Sequence, residues 1–347
     1  MSDLPRSLFC ARLRLRGGAI FFPIRVAELT PKNTTNLKPN MATTKPTTPQ
    51  RRQCGAMEAH LRLCEQHPEF RVCRGKIHAE TAIMVQRGTA MRRVAKKSLT
   101  IPVVVHVVYR TPEENISDAQ IKSQIVALNR DYSASNPDKS VVPDVWKGVI
   151  ADAQIKFALA TKDPKGKPTK GITRTKTTRE SFGSHDTVKK ASTGGASAWP
   201  STKYLNLWVC SLGEQLLGYA QFPGGPAATD GVVILNTAFG TTGTAAAPFN
   251  LGRTAVHEVG HWLNLSHMWG DTSDCSGSDH VADTPGAQLP NFGKPAFPHI
   301  TCTNGPNGDM FMNYMDYVDD AAMVMFSAGQ VARMQATLAG PRSALGS

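Results

Sequence analysis

VHEVGHWLNLSHMWG, residues 256–270, decides how the rest of the chain is read. His257 and His261 are one helical turn apart, so both imidazoles leave the same helix face. Glu258 lies beside the first, where its carboxylate can reach a metal-held water without binding the metal. A third histidine, His267, follows six residues after the second. Three neutral imidazoles leave one tetrahedral position of zinc free for water, which is the ligand set of a catalytic site rather than a structural one. These residues point to one catalytic zinc ion.

Working outward, the chain before this stretch alternates strands and helices. IPVVVHVVY (101–109) is a continuous β-branched run and predicts a buried strand. AQIKFALA, YLNLWVCSL, LLGYAQFP and DGVVILN predict four more, LLGYAQFP being short. Between the first two lies a helix with Ser117 as N-cap and Ile121, Ile125 and Leu128 at helical spacing. The predicted fold is α+β, with an α/β-like upper part. A twisted, mixed five-stranded sheet carries a backing helix and the histidine helix. Beyond His267 an irregular region ends in a helix that Ser327 and Gln330 start as a capping box.

The formal net charge of +12 is unevenly spread. Residues 1–100 hold 19 Lys and Arg against 6 Asp and Glu, a net of +13; the remainder holds 20 against 21, a net of −1. The basic charge therefore belongs to the N-terminal third, where it clusters at Arg51-Arg52, Arg92-Arg93 and Lys96-Lys97. With few aromatics interleaved, it is not the pattern of a nucleic-acid surface, and the pairs read as processing sites. No run of 18 apolar residues exists, so no transmembrane segment is expected. GGAIFFPI (17–24), after Arg12, Arg14 and Arg16, resembles a short signal core, and Met41 opens a second plausible start. Residues 1–50 read as an unstructured leader with a possible signal. MEAHLRLCEQ (57–66) has helical periodicity, with Met57, Leu61 and Leu63 or Cys64 on one side. A small-residue linker follows from Arg87 to Ser98. Seven cysteines leave at least one thiol unpaired.

HExxHxxNxxH followed downstream by NYMDY (313–317) resembles the metzincin zinc metallopeptidases of the pappalysin family, its ulilysin-like branch in particular. HMWGD, DHVADTP and MFSAGQVARM extend the resemblance over residues 54–338, most of the chain. It implies a metzincin fold and a secreted, monomeric endopeptidase made as a zymogen. Its substrate would be a protein or peptide bound in extended form, and Glu258 would act as general base and acid. The alternatives are an inactive binding protein that keeps the fold, or a zinc hydrolase of small peptides or amides. Glu258 speaks against the former.

Residue by residue, the resemblance makes Met315 the Met-turn methionine beneath the ligands. Tyr317 becomes a stabiliser of the tetrahedral intermediate, with a structural hydrogen bond as its alternative role. Asn264 stands where the family usually has Gly; it must bend the chain so that His267 returns to the metal, and Asn tolerates φ > 0 best among non-Gly residues. Leu217, Gly218, Tyr219 and Ala220 match the substrate-binding edge strand. Asp274, Asp279, the Val281 carbonyl and Thr284 match a structural calcium site, against a solvated acidic loop. Cys275 and Cys302 match one family disulfide, worth about 3 kcal/mol and implying an oxidising compartment; a second is missing together at Lys294 and Ala322. Ala321 stands where the family has an Asp that selects basic residues, so that specificity is not carried over. In RRQCGAMEAHLRL, Cys54 would fill the open zinc position in the latent form, or else pair with Cys64 or Cys73. The resulting division is a pro-segment with its linker at 51–98 and a catalytic domain at 99–347, split into upper (99–264) and lower (265–347) parts.

Overall fold

The computed structural model describes residues 49–88, 99–213 and 215–345. The leader up to residue 48, and the basic pairs at 92–93 and 96–97, lie outside the described residues.

The N-terminal segment is two helices, α1 (Ala56–Gln66) and α2 (Pro68–Gln86). They are separated at His67, where Pro68 opens α2 at a position that needs no backbone donor. Ala59, Leu63 and Cys64 of α1 face inward, but Leu61 is 58 % exposed, so the expected stripe is rotated by about one residue.

All five expected strands form: β1 (Leu99–Tyr109), β2 (Ile155–Leu159), β4 (Leu205–Cys210), β5 (Gly218–Ala220) and β6 (Val232–Leu235). Their order is β2-β1-β4-β6-β5, parallel except for the antiparallel β5–β6 pair. A sixth strand, β3 (Ile172–Lys176), corrects the count of five. It pairs with the second half of β1, from Val105 to Tyr109, while β2 pairs with the first half, from Leu99 to Val103. The two short strands thus share one side of one long strand, and the sheet stays five positions wide. β3 is half-exposed and polar, which is why its run ITRTK carries no strong hydrophobic signal.

The interior of β1, β4 and β6 is buried on both sides, as their apolar runs require. Helix α3 (Asp118–Tyr132) starts where Ser117 accepts a hydrogen bond from the Gln120 N–H and packs against β2 and the histidine helix α4 (Arg253–Trp262). α4 also packs against β5 and β6, which sets the histidines behind the sheet edge. After His267 the chain is irregular up to α5 (Ala328–Ala339), whose reciprocal Ser327–Gln330 capping box forms. α5 packs against α2, so the N-terminal segment is joined to the last helix of the chain. No described helix is long and apolar enough to cross a membrane.

Candidate active site

Every residue of α4 is buried, so its histidines face the interior. The Nε2 of His261 lies 3.1 Å from that of His257 and 3.0 Å from that of His267. The opposite ring nitrogens are committed. Nδ1 donates to the Tyr314 carbonyl in His257 (2.7 Å), to the Leu265 carbonyl in His261 (2.8 Å) and to the Asp271 carboxylate in His267 (2.5 Å). A proton on Nδ1 leaves a lone pair on Nε2, so three lone pairs converge on one point. Burial lowers His257 well below the usual histidine value and His261 to about 3, with neighbouring imidazoles adding to it, so both stay neutral. The Cys54 thiol joins them, and the four ligand atoms all lie within 4.8 Å of one another. Among the described residues this is the one such cluster of three or more His, Cys, Asp or Glu. Three nitrogens and a sulfur suit a borderline-soft divalent metal.

The turn that returns His267 is built at Asn264, whose φ is 76°. Its N–H donates to the His261 carbonyl at 2.8 Å, and the Leu265 N–H donates to the Gly260 carbonyl at 3.0 Å. The Asn264 amide is fully buried and faces α2: Oδ1 accepts from Arg74 at 2.8 Å and Nδ2 donates to Thr81 at 3.4 Å.

Met315 is completely buried beneath α4. A Cβ on Gly260 would come 2.5 Å from the Met315 Sδ, so this glycine is present to make room for the thioether. The turn also lends the Tyr314 carbonyl to His257 and the Met315 carbonyl to the Met268 N–H.

The N-terminal segment covers the cleft as an added strand. The Leu217 N–H donates to the Gln53 carbonyl at 3.0 Å, and the Gly55 N–H donates to the Gly218 carbonyl at 2.9 Å. Cys54 thus pairs, in parallel, with Gly218 of the edge strand. Its thiol is free, so neither alternative disulfide forms, and it donates to the Glu258 Oε2 at 3.4 Å. The Tyr317 hydroxyl donates to the Cys54 carbonyl at 3.3 Å. Burial pushes the Glu258 carboxyl up to about 8, opposed by the Cys54 hydrogen bond and the charges of Arg52 and Lys189. Gly218 lets this happen at close range: a Cβ there would stand 3.0 Å from the Glu258 Cγ.

Arg52 was read as part of an exposed processing pair, and the fold overturns that. Only 2 % of it is exposed. Its guanidinium donates to Asp320 at 2.6 Å, to the Val318 carbonyl at 3.2 Å and to the Thr254 hydroxyl at 3.1 Å, and it lies over the Phe249 ring. A buried pocket two residues from Cys54 therefore ends in a carboxylate. Ala321 is exposed, whereas its neighbour Asp320 faces inward and is completely buried.

Cys275 and Cys302 are disulfide-bonded. The proposed calcium ligands gather only in part. Thr284 donates to Asp279 at 2.8 Å and to the Val281 carbonyl at 3.1 Å. Asp274, by contrast, is exposed, and its carboxylate accepts from the N–H and hydroxyl of Ser276. The residues that sequence reading missed are Arg52, Asp320, Asp271 and Gly260. For Gly260 and Asp271 a signal existed, since both stand four residues or fewer from a histidine of the motif.

Residues 189–339 match the M43 peptidase family model, described as pregnancy-associated plasma protein-A. The chain is 33 % identical over 296 residues to an extracellular metalloprotease of Pyricularia oryzae, covering 83 % of this chain and 88 % of that protein. Against the solved structure of a promirolysin mutant of Tannerella forsythia it is 44 % identical with a TM-score of 0.76, covering 84 % of this chain and 96 % of that one. Mature mirolysin of Tannerella forsythia in complex with a cleaved peptide gives 52 % identity and a TM-score of 0.68, over 69 % and 90 % of the two chains. Coverage by the zymogen likeness exceeds that by the mature one, as the N-terminal helices would require. The chain belongs to the pappalysin family of metallopeptidases.

Proposed function

We propose that His257, His261 and His267 hold one zinc ion and that Glu258 is the general base and acid of peptide-bond hydrolysis. The convergence of three buried imidazole Nε2 atoms, with Glu258 beside them and an edge strand in front, carries this reading. When bound, zinc supplies a Lewis acid for water and for the scissile carbonyl. Glu258 takes the proton of the attacking water and passes it to the leaving amine. Tyr317, released from the Cys54 carbonyl, donates a hydrogen bond to the oxygen that gains charge in the transition state. Leu217 and β5 bind the main chain of an extended peptide through the same hydrogen bonds that hold residues 53–55.

The protein is a secreted metalloendopeptidase made as a zymogen. Residues 51–98 form its pro-segment and linker, and 99–347 its catalytic domain, with upper and lower parts meeting at Asn264. Cys54 would supply the fourth metal ligand in the latent form as a thiolate, its proton passing to Glu258, the acceptor it already faces at 3.4 Å. The pocket that takes Arg52 is the S1′ pocket, and Asp320 gives it a preference for Arg or Lys. Calcium is assigned to the loop of Asp279, Val281 and Thr284, with Asp274 as a further ligand. In its support, burial pushes the Asp279 carboxyl up to about 6, and a cation would relieve that cost.

Glu258→Ala tests the central assignment. The variant should keep its metal and lose peptidase activity by roughly 10²–10⁴-fold. Activity within about tenfold of the parent would remove Glu258 from the mechanism.

A further inference from the structure

We propose that Asp271 is the positioning residue of the metal centre: its carboxylate holds His267 in the ligating tautomer, and its charge sets how firmly the centre keeps its metal. This rests on the reading that the three histidines hold zinc.

The three ligands are not held alike. His257 and His261 stand on α4 and donate Nδ1–H to neutral backbone carbonyls, those of Tyr314 and Leu265. Their positions are fixed by the helix. His267 lies beyond the helix end and past the left-handed turn at Asn264, so nothing helical orients its ring. Besides the other two ligand rings, three contacts do so instead. The Trp269 ring stacks on it at 4.4 Å, nearly parallel. Tyr317 meets it edge-on at 4.9 Å. Asp271 accepts its Nδ1–H at 2.5 Å.

Only the last contact carries charge, and a charge-assisted bond of this kind is shorter and stronger than one to a carbonyl. The backbone is bent to make it. Gly270 and Asp271 have φ values of 64° and 59°, two left-handed residues in a row. Asp is one of the few residues besides Gly that take this conformation, and here it brings the carboxylate back under a ring only four residues earlier. Gly270 has no substitute here, because a Cβ would come 2.1 Å from the Ser278 nitrogen.

The charge also has a purpose that a carbonyl could not serve. Three neutral imidazoles leave a divalent cation its full charge, and the Cys54 thiolate of the latent form offsets only half of it. Glu258, the other carboxylate beside the ligands, is engaged in proton transfer. Asp271 is the carboxylate bonded to a histidine ligand, so it makes the His267 imidazole a stronger donor and offsets part of the cation's charge. The pattern H-x-x-x-D, residues 267–271, is the sequence trace of this arrangement.

The test uses the full-length chain loaded with zinc, and follows metal transfer to a chromophoric chelator in excess. Asp271→Asn keeps the shape and an acceptor oxygen but removes the charge. It should release zinc about 10–100-fold faster than the parent. Its cobalt-substituted form should show an altered visible absorption band, a readout that a loop-tethering role would leave unmoved. Asp271→Glu, which restores the charge, should recover part of the retention. A parental release rate and cobalt spectrum in Asp271→Asn would overturn the proposal. A parent chain that loads no zinc would instead overturn the assignment of the histidines.

Discussion

The guanidinium of Arg52 and the carboxylate of Asp320 are 2.6 Å apart, with side-chain exposures of 1 % and 0 %. Two charges are taken out of water together, and each is compensated chiefly by the other. Breaking such a pair by removing one partner costs about 3–5 kcal/mol, because the survivor is left buried and unpaired. On the proposed reading, the latent form closes its own specificity pocket with the kind of side chain that pocket takes, two residues from the thiol that faces the metal site.

Asp320→Asn should lower kcat/KM for peptides with Arg or Lys after the scissile bond by ~100-fold or more, and leave peptides with neutral residues there little changed. A peptide library digested by the activated enzyme and sorted by mass spectrometry measures both classes at once. Undiminished selection of basic residues by the variant would move the specificity elsewhere.

Cys54→Ala removes one closure and leaves the other. The uncleaved variant should hydrolyse a fluorogenic peptide measurably where the uncleaved parent does not. Its activity should remain below that of the mature enzyme, because Arg52 still fills its pocket. Adding Arg52→Ala should raise it further. If the uncleaved Cys54→Ala chain were as silent as the parent, the thiol would not be the element that blocks catalysis.

Metal removal should act on the mature enzyme as a switch. Dialysis against a strong chelator should abolish peptidase activity, and about one equivalent of zinc should restore it. The apo form should also melt at a lower temperature, since the metal binds only the folded tripod. Calorimetry with and without chelator checks this, and activity that persists after complete removal would exclude a catalytic metal.

The pro-segment has a second anchor, the 2.5 Å pair of partly exposed Arg62 with buried Asp186. Burial alone would raise the Asp186 carboxyl. The pull of Lys189 and of Arg62 outweighs it and holds the group below the ordinary carboxylate value. A depressed carboxyl stabilises the folded state fully above its unfolded value, near 4, and that stabilisation is lost as pH falls through the folded value. Docking of the pro-segment through this pair should thus be constant from pH 5 to 8 and weaken only under stronger acid. Limited proteolysis of the pro-segment across pH reads it out. Asp186→Asn should remove the dependence, and a protection that changed between pH 6 and 8 in step with this residue would contradict it.

The parts of this protein legible in its sequence are those governed by neighbours in the chain. Two histidines four apart share a helix face whatever surrounds them, Ser327 and Gln330 form a cap within three residues, and Asn264 can take φ > 0 because of its own side chain. Continuous apolar runs become buried strands for the same local reason. The half-exposed polar β3 carries no such pattern and went unread, and Leu61 shows that a periodicity names a helix more reliably than it names the inward face.

What only tertiary structure decided are pairings between distant residues. Arg52 and Asp320 are separated by 268 positions, and nothing in either neighbourhood says that one will be buried against the other. The basic pair at 51–52 reads as a processing site because its compensating charge lies at the far end of the chain. Ala321 looked decisive because sequence cannot tell which of three adjacent positions turns its side chain into a pocket. Burial of a charge is a property of the assembled fold, fixed when the added strand at residues 53–55 docks on Leu217 and Gly218 and carries Arg52 inward.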